Sequence, residues 1–190
     1  MLRGLKKQFL YQAVLLLLVV AAVFSLSLWI ASNESVLGAI THYGYWGAFL
    51  ISIISGFNLV IPVPAASFVP LFLSAGLSLP ILILIISVGM TLADFLGYLI
   101  GKTGRTALKA TKHLPQWARS ETWNDKSNFW IGGAVFLYAA FIPLPNELIV
   151  IPLALIGHRL TAIAPVLLLG NITFNLIASW GFISLYGVLV

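Results

Sequence analysis

Few side chains in this 190-residue sequence could do chemistry, since it has five acidic and ten basic residues. The most exposed to question is Glu147. It follows Pro143, Leu144, Pro145 and Asn146 in FIPLPNELIVIPLALIG (141–157), a stretch otherwise apolar enough to sit in lipid. An ionisable group at membrane depth costs about 2.5–3.5 kcal/mol on insertion scales, so it faces water, a partner or a substrate path. Withdrawal from water favours the neutral acid, which suits Glu147 to carrying a proton. The structural alternative is a shallow turn with Glu147 at the interface or paired with Arg159. Asp94, in the apolar run before Gly101, offers a second proton or cation site, a partner for a basic residue, or a hydrogen bond to a facing hairpin. Asn175 and Asn171 would line the same interior, where neutral amides tie helices together. Asn58 and Asn146 stand beside prolines and can satisfy the carbonyls that prolines free.

Other chemistries find no support. His42, His113 and His158 fall in three separate loops without metal-ligand spacing, and there is no cysteine. No Gly-rich phosphate loop, Ser/His/Asp set or paired carboxylates are visible. The sequence therefore reads as non-enzymatic, with no metal and no cofactor.

The elements that position these residues are set by composition. The chain is 61% hydrophobic and 8% charged, with a mean hydropathy of +1.06, and a soluble domain of this length cannot hide that much apolar surface. It reads as an all-α integral membrane protein. The uncharged run 9–31 would extend about 34 Å as a helix, enough to cross a bilayer, and exceeds the h-region of about 7–15 residues in a signal peptide. Basic residues cluster at Arg3, Lys6 and Lys7 and again between Lys102 and Lys126. Both clusters are expected in the cytoplasm, against anionic lipid headgroups rather than nucleic acid. Within the second, 104–119 has the spacing of a short interfacial helix broken near Pro115.

The chain also resembles itself. One constant offset superposes Ile61 on Ile142, Pro62 on Pro143, Pro64 on Pro145, Gly76 on Gly157, Gly89 on Gly170 and Asp94 on Asn175. Each half reads as a proline-broken apolar segment followed by a long apolar helix. The limbs 44–61, 65–79, 128–142 and 146–156 are short for independent crossings, three of them reaching only about 16–22 Å as helices. Proline-broken backbone survives at membrane depth where protein or a water-filled cavity covers it. The expected layout is a single membrane domain, 1–190. A transmembrane helix (9–31) precedes a re-entrant hairpin (44–79) and a second helix (80–101). A basic cytoplasmic loop with an interfacial helix (102–127), a second hairpin (128–157) and a last helix (161–190) follow. Charge places the hairpins on opposite faces, an inverted repeat whose site lies at the repeat interface. Pro62, Pro64, Pro143 and Pro145 break the hairpins. Gly89, Ala93, Gly97 and Gly101 form a small-residue stripe for close helix packing, favoured within the monomer. A homo-oligomer stays open.

The order of IPVPAASFVPLFLSAGL (61–77), ADFLGYLIGKTGR (93–105) and FIPLPNELIVIPLALIG resembles the DedA superfamily, also called VTT or SNARE-associated domain proteins, over roughly residues 56–180. The resemblance implies two oppositely facing re-entrant hairpins in a bacterial inner membrane. It also implies movement of phospholipid or polyprenyl-phosphate between leaflets, with coupling to protons or other ions left open. Three positions depart from the family pattern. Ala65, Ala66 and Ser67 stand where an acidic residue is usual, Ala140 where an arginine precedes Phe-Ile-Pro, and Asn146 where a second arginine is expected. Three functions stay open on sequence: a lipid translocase, a proton-driven exporter of small molecules or ions, and a membrane scaffold without transport. Glu147, Asp94, Asn175 and Asn146 are the residues expected to line a path.

Overall fold

The computed structural model describes Ser25, Trp29 and residues 33–56, 64–110 and 125–189, and among these there is no strand. The elements are α1 (Glu34–Gly56), a 3-10 turn (Ala65–Phe68), α2 (Val69–Ser74), α3 (Leu79–Ala110), α4 (Asp125–Phe141), α5 (Glu147–Ile156) and α6 (Leu160–Leu189). Two stretches, Leu79–Ala110 and Leu160–Gly187, are long and apolar enough to cross a membrane. They pack on each other. Around this pair, α1 and α5 pack on α3, whereas α4, the 3-10 turn and α2 pack on α6.

The helices are apolar outside and carry polar groups inside. On α3, Leu84, Val88, Leu92, Leu96 and Leu99 are exposed at three-to-four-residue spacing, while Ser87, Thr91 and Asp94 are buried on the opposite face. This inversion of a water-soluble pattern is what a hydrocarbon surrounding selects, because lipid solvates leucine and cannot solvate a hydroxyl or carboxylate. Two apolar clusters support the ends of the bundle. One gathers Val69, Phe72, Leu82 and Ile86, and the other Val135, Val150, Ile163 and Leu167.

Both short helices end alike. Gly76 (φ 82°) donates to the Leu73 carbonyl at 2.9 Å while Leu77 N–H reaches Phe72 at 3.1 Å. Gly157 (φ 92°) donates to Ala154 at 3.0 Å while His158 N–H reaches Leu153 at 2.9 Å. A left-handed residue in this paired-bond cap suits glycine, which has no Cβ to clash. The four residues of one cap superpose on those of the other by the same offset that aligns the prolines.

The element boundaries correct several expectations. The limb expected at 44–61 begins as helix at Glu34, and residues 57–63, with Asn58 and Pro62, lie outside the described residues. The return limb expected at 65–79 is a 3-10 turn and a six-residue helix that stops at Ser74. Pro70 has no N–H to donate and is best placed in the first turn of a helix, and the α-helix starts anew just before it. The helix expected over 80–101 runs on to Ala110, through residues assigned to the basic loop. Charged residues do not end a helix, and nothing between Lys102 and Ala110 breaks one. Residues 111–124, with His113, Pro115 and Arg119, lie outside the described residues, as does 9–31 apart from Ser25 and Trp29, both helical.

Arg105 is buried rather than facing headgroups, and its Nη1 donates to the Leu155 carbonyl at 2.8 Å. Its charge lies at the C-terminus of α5, where the helix dipole favours a cation. The next loop is held by Tyr98, whose hydroxyl donates to the His158 carbonyl at 2.9 Å. Burial holds the His158 imidazole below its usual value of 6.5. The folded protein thus takes up that proton less readily than the unfolded chain. Its stability contribution is complete above about pH 6.5 and is lost as pH falls toward the lower folded value. Thermal unfolding in detergent should show the midpoint dropping between pH 7.5 and pH 5, with a shallower drop in His158→Gln.

Candidate functional site: a buried polar cluster beneath a proline-lined cavity

Three elements deliver polar side chains to one place. α3 presents Ser87, Thr91 and Asp94, and α6 presents Asn171, Asn175 and Ser179, both sets at helical spacing that keeps one face. The start of α5 supplies Asn146 and Glu147. All eight are buried.

The hydrogen bonds form a closed set around Asp94. The Asn146 side-chain amide donates to Asp94 Oδ2 at 3.2 Å and to Asn171 Oδ1 at 3.0 Å. Asn171 donates to Asp94 Oδ2 at 2.9 Å and to Thr91 Oγ1 at 3.0 Å. One turn along, Asn175 donates to Ser87 Oγ at 3.0 Å and approaches Met90 Sδ at 3.3 Å. Ser87 and Thr91 in turn donate to the carbonyls of Ile83 and Ser87, each at 2.7 Å. Asn146 therefore does not satisfy a carbonyl freed by proline, as its position suggested. Its backbone carbonyl begins α5 by accepting from Ile149 and Val150, and its side chain is left for Asp94 and Asn171.

Glu147 is 0% exposed, so it faces the interior of the protein and not its surface. Arg159 lies beyond the far end of α5, a ten-residue helix about 15 Å long, so the two do not pair. Glu147 instead lies against α3 at Gly97, where an added Cβ would sit 3.1 Å from Glu147 Cγ. Gly97 lies about one turn from Asp94 on α3. Two carboxylates thus share one buried region, although paired carboxylates were not visible in the sequence. The small-residue stripe divides its work. Gly89 and Ala93 pack against Ser52 and Gly56 of α1, whereas Gly97 and Gly101 receive Glu147, Ile151 and Ala154 of α5.

Above the cluster lies a cavity of about 170 Å³. Its walls are apolar, with Pro64, Leu144, Pro145 and Phe174 among them, and Asn146 and Asn171 supply its amides. Pro64 comes from the first broken segment and Pro145 from the second. The second turn is braced by Leu144 N–H on the Ile142 carbonyl at 2.8 Å and by the Tyr138 hydroxyl on the Pro145 carbonyl at 3.1 Å.

Sequence reasoning singled out Asp94, Asn146, Glu147, Asn171 and Asn175, and the fold brings all five together. It passed over Thr91, Ser87 and Ser179. Their helical spacing with Asp94 and with Asn171 was the available signal.

The class defined by these observations is an all-helical protein with two helices of membrane-crossing length and composition, its polar side chains gathered inside. Comparison with protein-family models, with curated proteins and with solved structures gave no match.

Proposed function

We propose that this protein is a membrane transporter or lipid translocase of the DedA kind, moving phospholipid or polyprenyl-phosphate between leaflets, with its buried acids available for proton coupling. The observation that carries the reading is the apolar, proline-lined cavity seated on a buried amide and carboxylate cluster. Such a cavity accommodates acyl chains along its walls and gives a polar group hydrogen-bonding partners at its floor. The repeated glycine caps, and short segments that each pack on a long helix, support an inverted repeat of broken segments meeting at mid-depth. In this reading the chain lies in a bacterial inner membrane, with the N-terminus and the basic segment cytoplasmic. The full chain reconstituted in vesicles should accelerate transbilayer movement of a fluorescent phospholipid, read by quenching of the outer leaflet. Glu147→Ala should slow it, and no acceleration with any lipid class would refute the reading.

One observation favours a second cargo. The site holds two carboxylates, and Arg105, the buried cation of α3, lies three turns from Asp94, about 16 Å away. An anionic headgroup gains nothing from that arrangement, whereas a cation or a proton does. Substrate-dependent proton uptake without lipid movement would select a proton-driven exporter of small molecules or ions.

A further inference from the structure

We propose that the cavity selects its cargo by a primary ammonium group, which donates N–H bonds to oxygens at the cavity floor, and that it turns away phosphate. The proposal rests on reading the cavity as the cargo site, and names the chemical class that the site takes.

A side-chain amide has two hydrogens to donate and a hydroxyl has one. At the cavity floor, along the seam where α3 meets α6, these are committed among the described residues. Asn146 gives its two to Asp94 Oδ2 and Asn171 Oδ1, and Asn171 gives its two to Asp94 Oδ2 and Thr91 Oγ1. Thr91 gives its one to the Ser87 carbonyl. The Asp94 carboxylate fixes which way both amides turn, because it accepts hydrogen bonds and repels a carbonyl oxygen. The proline turn adds no donor, since Pro143 and Pro145 have no N–H and that of Leu144 is bound to the Ile142 carbonyl. The head of α5 would by itself favour an anion, but Glu147 already places a carboxylate in that first turn.

What remains is acceptors. Asn146 is 8% exposed and lines the cavity, and its Oδ1 accepts no hydrogen bond among the described residues, nor does it cap α5. Asn171 Oδ1 holds one bond and has a lone pair for a second. Asp94 Oδ1, beside the oxygen that binds both amides, accepts none among the described residues. A phosphate at this floor would set oxygen against oxygen. A primary ammonium brings three donors, and its charge is offset by the buried carboxylates. Phe174 and Met90 stand in the walls, and an aromatic face attracts a cation. Ile142 and Leu144 line the cavity and are partly exposed, so it reaches the protein surface and the apolar remainder of a cargo can lie outside.

The test places four head groups on one butyl chain. Unfolding of the full chain in detergent is followed with butylammonium, butyltrimethylammonium, butyl phosphate and butanol. Butylammonium should raise the unfolding midpoint with increasing concentration. The quaternary ion keeps the charge but has no N–H, and should bind roughly tenfold more weakly, the loss of one charge-assisted hydrogen bond. Leu144→Trp, at the exposed rim, fills the mouth of the cavity without touching the polar floor and should abolish the rise. The proposal is overturned by an equal rise with the quaternary ion or butanol, a larger one with butyl phosphate, none with butylammonium, or a rise unchanged in Leu144→Trp. Vesicles then separate a lipid headgroup from a free amine. Phosphatidylethanolamine and phosphatidylglycerol, each labelled on an acyl chain, are compared by outer-leaflet quenching with the full chain reconstituted. Faster movement of phosphatidylethanolamine places the ammonium on a lipid. Movement of neither, with the butylammonium shift intact, leaves the selectivity standing for a free amine and refutes the translocase. Equal movement of both without that shift leaves the translocase standing and overturns the proposal.

Discussion

Asp94→Ala should reduce transbilayer lipid movement to the rate of protein-free vesicles while lowering stability by about 1–3 kcal/mol. The two effects have different sources. Asp94 Oδ2 is the shared acceptor for Asn146 and Asn171. Without it Asn146 keeps Asn171 Oδ1, and Asn171 keeps Thr91 Oγ1. Neither amide is stranded completely, which is why the stability loss stays at the cost of a few weakened bonds rather than that of an uncompensated charge. The functional loss is larger because Asn146 and Asn171 also line the cavity, and their orientation depends on that carboxylate. Asp94→Asn separates geometry from charge. It preserves the shape and one acceptor oxygen but cannot take up a proton. Near-normal thermal stability with no lipid movement would assign Asp94 a proton. Normal movement would make it a tether and nothing more. Unfolding in detergent and outer-leaflet quenching in vesicles read the two quantities separately.

The cluster was legible in part because polar residues in apolar surroundings have few places to go. Asp94, Asn146, Glu147, Asn171 and Asn175 each interrupt a run that lipid would otherwise accept, and burial together inside the bundle is the solution open to all of them, with Asp94, Asn146 and Asn171 bonded to one another. The hydroxyls were not legible. Ser87 and Thr91 bond to carbonyls of their own helix, a habit common to serine and threonine in any helix, so nothing in their local sequence separates a seam residue from a bystander. Charge misled in the other direction. Lys102, Arg105 and Lys109 suggested a loop, but charged residues do not end a helix, and α3 continues to Ala110. Arg105, grouped by composition with headgroup-binding residues, folds back onto the end of α5. The prolines were better guides. Pro64, Pro70, Pro143 and Pro145 all fall at or before the start of a helix, although Pro152 and Pro165 lie inside α5 and α6.

Gly101→Ala should cost about 1–3 kcal/mol of stability, the range for an overpacked interior, and Gly101→Val more. The usual expectation for glycine inside a helix is the reverse, since alanine is the better helix former by about 1 kcal/mol. Close approach decides the sign here. A Cβ at Gly101 would lie 2.5 Å from the Ile151 carbonyl oxygen and 2.7 Å from Ala154 Cβ, so no side-chain rotation relieves it and α5 must move away from α3. At Gly97 the obstacle is Glu147 Cγ at 3.1 Å, the middle of a flexible side chain, and Gly97→Ala should cost less. At Gly133, on α4, no atom lies within 4 Å of the added carbon, so Gly133→Ala should be neutral or stabilising by up to about 1 kcal/mol. The series also connects packing to function. Asn146 and Glu147 stand at the head of α5, so an α5 displaced by Gly101→Ala carries both away from Asp94. Lipid movement should therefore fall with stability across the Gly101 variants and stay unchanged in Gly133→Ala. Equal stabilities for Gly101→Ala and Gly133→Ala would mean that α3 and α5 do not pack this closely.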